Sequence, residues 1–385
     1  MYAVACENQC MHLAVVDGKQ PKRQAKMRWQ GHLLIFYIAT AVLWSASLQA
    51  AQNKAYSPTG DMVAGVTVID RLNAVALPMG KHQFYFRAGT SANGQPLDVP
   101  VLVVRGANPG KRLLLTAAVH GDELNGIAVI HQLVAAIIPE KLRGTLIAVP
   151  GVNQTGMAAN RREFRSSGSG PLTDLNRIFP GKLDTGTSAE RYVGTLWHHA
   201  LKNNADIAVD IHTQTTGSSY PLFVFADFKN EIAQAMSFAL MPDLIKDDGG
   251  QRGTLETTFM KAQTPAVTYE VGGPKIFEQI LVDRAVAGLI NLMRTQHMLG
   301  GLSQSADKKP FVGTKHTNVR TQRAGTAHIM VKLLDRVEKK QLLAIVVDPF
   351  GRELGRYSAP HSGIILSVAT DPLREAGAIL VRILR

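Results

Sequence analysis

The sequence predicts an α/β fold, a mixed, mostly parallel sheet sandwiched by helices, with a small all-β domain after it. Three observations carry this. Between about residues 97 and 299, short apolar runs alternate with segments whose apolar residues recur at helical spacing, the pattern of strands covered by helices on both faces. Residues 301–310 (GLSQSADKKP) then have the composition of a linker. Beyond them the apolar runs are short, separated by turns such as Asp348-Pro349-Phe350-Gly351, and no long helical period returns.

In chain order, residues 52–95 read as a polar lead-in with one or two short strands. Val101–Val104 and Leu113–Val119 read as buried strands. Glu123–Ile138 reads as a helix, because Leu124, Ile127, Ile130, Val134 and Ile137 fall on one face and Pro139 stops it. Leu146–Val149 is a strand ended by Pro150-Gly151, and Ile207–Ile211, Leu222–Phe225 and Ala266–Tyr269 are further strands. Helices fit 188–202, 229–240 and 276–299. In the last part, His328–Leu334, Leu342–Val347, Gly363–Val368 and Ala378–Ile383 are β-rich runs. The division expected is a leader over 1–51, an α/β domain over 52–300, the linker 301–310 and a β-rich domain over 311–385.

The leader has its own logic. Lys22-Arg23-Gln24-Ala25-Lys26-Met27-Arg28 precedes an apolar run from Leu33 to Trp44, and small residues with Ala50-Ala51 follow. That is the order of a secretory signal peptide. The run of about 12 residues is short of the roughly 20 that span a bilayer. The chain is therefore expected to be exported, periplasmic or secreted, with no stable membrane insertion after cleavage; an uncleaved N-terminal anchor is the alternative. Met27 is a second candidate start. Cys6 and Cys10 both lie in the leader, so a mature chain has no disulfide, thiolate metal site or cysteine nucleophile.

The hydrophobic fraction of 45% and charged fraction of 19% exclude a disordered or fibrous protein. Net charge is +12; five of the 42 basic and two of the 30 acidic residues fall in the first 51, leaving +9 after them. Basic runs interleaved with aromatics are absent from the sequence, so no nucleic-acid partner is expected. The oligomeric state is not legible.

Four motifs carry chemistry. His120-Gly121-Asp122-Glu123 stands where a buried strand gives way to a helix, the edge at which parallel sheets bind ligands. Alone it is weak, since a helix-capping carboxylate beside an unrelated histidine looks the same. Asp210-Ile211-His212-Thr213 ends another buried strand and brings a second imidazole to that edge. His120, Glu123 and His212 make the two-imidazole, one-carboxylate set of a catalytic zinc whose fourth position is open to water. Asn176-Arg177, in Asp174-Leu175-Asn176-Arg177, forms a fork suited to a substrate carboxylate, with a loop salt bridge as the competing reading. Glu270, in Thr268-Tyr269-Glu270-Val271-Gly272-Gly273, ends an apolar strand where a carboxylate is costly, which suits a general base beside an activated water.

The order and spacing of His120-x-x-Glu123, Asp174-Leu175-Asn176-Arg177, His212 and Glu270 resemble the zinc carboxypeptidase A clan. Within it the chain is similar to the succinylglutamate desuccinylase/aspartoacylase family over about 97–299. The resemblance implies a zinc carboxypeptidase-like fold, one Zn2+ per chain, and hydrolysis of the amide of an N-acyl amino acid or related small carboxylate-bearing amide. It implies that Asp174 fixes the tautomer of His120, that Asn176 and Arg177 hold the substrate carboxylate, and that an upstream arginine polarises the scissile carbonyl. Counting forward from Asn153 points to Arg162, and counting back from Asp174 points to Arg165, with the Ser/Gly-rich 166–170 between. The C-terminal part is similar to the barrel-like tail of these deacylases. It has no Met-Lys-Met tip, so it is expected to carry no cofactor and either to wall the cleft or to serve as a stabilising appendage. An exported zinc carboxypeptidase acting on short peptides, including cell-wall peptides, is the alternative function.

Overall fold

The computed structural model describes residues 54–304 and 308–385; the leader, with Cys6, Cys10 and Met27, and linker residues 305–307 lie outside them. The polar lead-in holds more structure than its composition predicts. β1 (Tyr56–Val63), β2 (Val66–Leu72) and β3 (Gly80–Thr90) all join the main sheet. In β3 the buried Phe84, Phe86 and Ala88 alternate with polar residues, so one face packs while the other stays wet and masks the strand in the composition.

β4 (Pro96–Arg105), β5 (Asn108–Ala117), β6 (Arg143–Val149), β7 (Ile207–His212), a short β8 (Ser218–Ser219), β9 (Leu222–Ala226), β10 (Leu244–Asp247), β11 (Ala266–Val271) and β12 (Phe311–Gly313) follow. The main sheet has eleven strands in the order β1-β2-β3-β4-β6-β5-β7-β11-β9-β10-β12. Its centre, β6-β5-β7-β11, is parallel, and β7 and β11 are buried along their whole length. Strands covered on both faces have no polar alternation, which is why these runs are legible in sequence.

Helices cover both faces. On one lie α1 (Asn125–Ala136), then, after a short α2 (Gln154–Ala158) and α3 (Ser188–Leu196), α4 (Glu231–Ala239). After α5 (Leu255–Lys261), α6 (Gln279–Thr295) completes that face. Val129 and Leu133 of α1, Met236 of α4 and Leu289 of α6 share one apolar core with Leu113 and Leu115 of β5. Tyr192 and Leu196 of α3 and Phe259 of α5 share the other with Leu114. Alternate residues of β5 thus feed opposite cores. Among the described residues no helix is long and apolar enough to cross a membrane.

The C-terminal strands are β13 (His316–Arg320), β14 (Gly325–Ile329), β15 (Arg336–Val337), β16 (Leu342–Val347), β17 (Glu353–Ser358), β18 (Gly363–Ala369), β19 (Leu373–Arg374) and β20 (Ile379–Leu384). They form two antiparallel sheets, β13-β20-β18-β15 and β17-β16-β14-β19. The run expected over 328–334 is shifted: β14 ends at Ile329, and β13, whose HTNVR sequence is polar, is not foreshadowed. Two strand pairings tie this part to the α/β part. β12 extends the main sheet beside β10, and β8 pairs with β18. Tyr220, Phe223 and Leu244 pack with Ile364, Leu366 and Leu384 along the seam. Lys54–Arg385 is one compact unit.

Candidate active site

Three parallel central strands end on one edge. After β5 the chain leaves the sheet through Ala118, whose φ of 53° is left-handed, and turns at once into His120-Gly121-Asp122-Glu123. Gly121 is required by packing: a Cβ there would lie 2.2 Å from the carbonyl carbon of Gly156 in α2. The amide of Gly121 donates to the carbonyl of Arg162 at 3.2 Å. His212 is the last residue of β7, and Glu270 stands directly beside it on β11. Asn125, at the start of α1, donates to the Val271 carbonyl at 2.8 Å and ties the turn to the Glu270 strand.

The sequence-predicted trio meets. His120 Nδ1 lies 2.8 Å from Glu123 Oε1, His212 Nδ1 lies 2.8 Å from Glu123 Oε2, and the two Nδ1 atoms are 3.2 Å apart. Donors around a tetrahedral zinc with bonds of about 2.0–2.1 Å are separated by about 3.3 Å, so the spacing fits one ion. All three side chains are buried. The two Nε2 atoms point outward, His120 to Asp174 Oδ1 at 3.1 Å and His212 to Asp210 Oδ2 at 2.7 Å. Asp210 is held in turn by the Thr116 hydroxyl, which donates at 2.6 Å. The amide of Thr213 donates to Glu123 Oε2 at 3.1 Å. Each imidazole therefore faces the centre with the same nitrogen and an acid with the other, the arrangement that fixes a metal-ligating tautomer.

The electrostatics agree. Burial works to raise the Glu123 carboxyl, but the His120 and His212 imidazoles outweigh it and hold it below the usual carboxylate range. Burial also opposes a charged His212, yet Asp210 and Glu123 raise its proton affinity well above the ordinary value. Asp174 is lowered despite burial by His120, Arg162 and Arg177. Glu123 sits between the two imidazoles, so a divalent cation there would stand in place of the proton they would otherwise share.

Of the two candidate arginines, Arg162 is in the cleft, donating to Glu123 Oε1 at 2.9 Å and Asp174 Oδ2 at 3.1 Å. Arg165 is not among the residues lining it; its guanidinium donates to Gly168 in the Ser/Gly-rich loop. The reason is local: Asn153 caps α2 and its side-chain amide donates to the Arg162 carbonyl, so the forward count is rigid. Asn176 and Arg177 both line the cleft. Asn176 is buried, and its amide oxygen accepts from Leu255 N at 2.8 Å. The Arg177 guanidinium donates to the Asn176 carbonyl, lines the cleft and has no ion pair among the described residues. The loop salt bridge exists, but on Asp174. Glu270 is buried, its Oε2 has no hydrogen-bond partner among the described residues, and burial pushes its carboxyl up.

The cleft, about 560 Å³, also takes in Lys246, Glu256, Tyr220, His316 and Arg382, which the sequence reading missed. Asp210 was missed too, although two residues before His212 on a strand is the same face, a signal available from period two alone.

Residues 109–296 match the model of the Succinylglutamate desuccinylase/Aspartoacylase catalytic domain. The chain is 24% identical over 262 residues, covering 65% of itself and 74% of the relative, to the N-alpha-acetyl-L-2,4-diaminobutyric acid deacetylase of Halomonas elongata. It shares the fold of the product-bound ectoine utilization protein EutE (DoeB) from Ruegeria pomeroyi, at 24% identity, a TM-score of 0.71 and coverage of 86% of this chain and 98% of that one. It shares it also with a succinylglutamate desuccinylase/aspartoacylase from Rhodobacter sphaeroides, at 20% identity, a TM-score of 0.70 and coverage of 80% and 95%. The match over 109–296 and the shared fold make the chain similar to the succinylglutamate desuccinylase/aspartoacylase family, a family of deacylases acting on N-acyl amino acids.

Proposed function

We propose that the chain is an exported, zinc-dependent amide hydrolase that deacylates an N-acyl amino acid. The observation that carries this is the buried His120–Glu123–His212 cluster with the Glu270 carboxyl beside it on the neighbouring strand. His120, Glu123 and His212 would hold the ion, and a bound zinc supplies a Lewis acid and an activated water. The rest is done by side chains. Asp174 and Asp210 keep the two imidazoles in one tautomer and orientation. Arg177 holds the substrate carboxylate, with Asn176 fixing its loop against α5. Arg162, held by Glu123 and Asp174, offers positive charge where the carbonyl oxygen develops charge. Glu270 takes a proton from the attacking water and returns it to the leaving amine; its raised proton affinity suits both transfers.

Residues 52–300 would carry the chemistry, with 311–385 as a distinct β-rich domain that walls the cleft. Side chains from its strands line the same cavity, which suits a compact substrate better than an extended peptide. The leader over 1–51 supports export. The test is release of free amine from a panel of N-acyl amino acids and of peptides, with chelator-treated and Zn2+-restored protein. Turnover of N-acyl amino acids that is lost on chelation and regained with zinc, with one zinc per chain by elemental analysis, is expected; chelator-insensitive turnover refutes the metal role. Sequencing the mature N-terminus from a periplasmic or secreted fraction tests export.

A further inference from the structure

A second cavity, of about 520 Å³, lies where the C-terminal strands meet α6 and β10, and among the described residues it shares no lining residue with the catalytic cleft. Its floor is apolar. Leu244 of β10 and Phe311 of β12 are direct partners across a strand pair, and Ile364 of β18 packs with Leu244 in the seam core. Leu244 and Ile364 are both buried. Arg336 of β15 stands directly opposite Ile364, so the guanidinium is on the same face as that floor.

The rim is cationic. Arg284, Lys308, Lys309 and Arg336 line the cavity, and Asp243 is the one acid among the described residues that do so. Asp243 is already committed. Its carboxylate accepts from both terminal nitrogens of Arg284, at 2.7 and 3.1 Å, and from the Leu222 amide at 3.1 Å. Lys308, Lys309 and Arg336 have no acidic partner among the described residues. The positive charge is also regional. Residues 308–385 hold 14 Lys/Arg and 6 Asp/Glu, whereas 54–304 hold 23 and 21, so the field on this side of the molecule favours an anion. Two of the apolar walls are strained. Met241, at φ 51°, and Leu334, at φ 71°, hold the left-handed backbone that residues with a Cβ rarely adopt. Leu334 leaves its side chain 41% exposed at the cavity and not in a core. Strain of this kind clusters where ligands are held.

We propose that this cavity is a second ligand site that takes one amphipathic anion, its charged head among Lys308, Lys309 and Arg336 and a short hydrocarbon chain over Leu244, Phe311 and Ile364. Neither half suffices alone. Exposed cations hold a bare anion weakly, and a neutral chain leaves three cations unmatched. The head is a carboxylate or a phosphate monoester, which the same cations recognise. The walls come from α6 and β10 on one side and from β15 and β18 on the other. A bound molecule therefore touches both parts and stabilises the folded chain by mass action. The site goes beyond the deacylase reading and does not depend on it.

The test is calorimetry on the purified full chain with octanoate, octyl phosphate, 1-octanol and inorganic phosphate, and it needs no turnover. Each titration is repeated on Arg177→Gln, which removes the free cation of the catalytic cleft. An octyl anion binds in both proteins and raises the melting temperature of both; the tighter of the two anions names the head group. 1-Octanol and inorganic phosphate bind at least about tenfold more weakly. The double variant Lys309→Gln/Arg336→Gln, at two exposed positions, weakens the octyl anion by about tenfold or more. Lys309→Arg/Arg336→Lys, which keeps both charges, recovers part of that loss. Ala287→Glu, on the exposed side of α6, sets a carboxylate in the cavity and abolishes binding without touching the core. Three results overturn the site: no octyl anion binding that persists in Arg177→Gln, binding that is unchanged in both the double variant and Ala287→Glu, or 1-octanol or inorganic phosphate bound as tightly as the octyl anions.

Discussion

Asp210→Asn isolates what an acid behind a ligand is worth. Asp210 is buried and receives two hydrogen bonds, from His212 Nε2 at 2.7 Å and from the Thr116 hydroxyl at 2.6 Å. Asparagine has the same shape. Its carbonyl oxygen can still accept from His212, and Thr116 can rotate its hydroxyl to accept from the new amide, so the pocket stays filled and bonded. Only the charge is lost. A hydrogen bond to a charged partner contributes about 1.5–3 kcal/mol against about 0.5–1.5 for a neutral one, a difference of about 1.4 kcal/mol. That is roughly tenfold in zinc affinity, the low end of the 10–100-fold range for such partners. The assay is competition for zinc between the protein and a chromophoric chelator, with thermal unfolding of the metal-free protein as the check on folding. The folded variant binds zinc about tenfold more weakly. Unchanged affinity in a folded variant would mean that the second nitrogen of His212 is irrelevant to the ion, and the tautomer argument would fail.

Three other outcomes follow from the same geometry. Glu270→Gln keeps zinc affinity by the same competition assay and lowers kcat by roughly 10²–10⁴-fold, since the ligands are untouched and the proton acceptor is gone. Arg177→Gln lowers kcat/KM for N-acyl amino acids by roughly 10–100-fold, mostly through KM, while the corresponding N-acyl amine, which lacks a carboxylate, loses little. Glu256 concerns stability. Its carboxyl is raised by burial from an ordinary 4.5 to about 8, so its contribution is fully present below about pH 4.5 and is lost as pH rises through about 8. Glu256→Gln, which stays neutral, therefore shows a shallower fall in melting temperature between about pH 5 and 8 than the parent; parallel curves would show that Glu256 ionises normally.

The central strands were legible because burial on both faces leaves little polar alternation to confuse the reading, and the apolar stretches Leu113–Leu115 of β5, Ile207–Val209 of β7 and Ala266–Val267 of β11 lead towards His120, His212 and Glu270. The lead-in was not, because β1 is mostly exposed and β3 turns only one face to the core. Arg162 and Arg165 were ambiguous because the Ser/Gly-rich 166–170 carries no pattern to fix the count back from Asp174, whereas the Asn153 bond to the Arg162 carbonyl makes the forward count rigid. Arg382 and His316 carry no local signal at all. They reach the cleft because β12 docks on β10 and β8 on β18, pairings between segments far apart in the chain that no short-range pattern encodes.

The missing side chain at position 121 has a mechanical result. Where the ligand turn crosses α2, backbone rests on backbone, and one peptide amide reaches the carbonyl of the arginine that faces the acids of the cluster. The turn bearing His120 and the segment bearing Arg162 are thus fastened to each other by main chain, so a shift of the turn also moves the anchor from which that arginine reaches the acids.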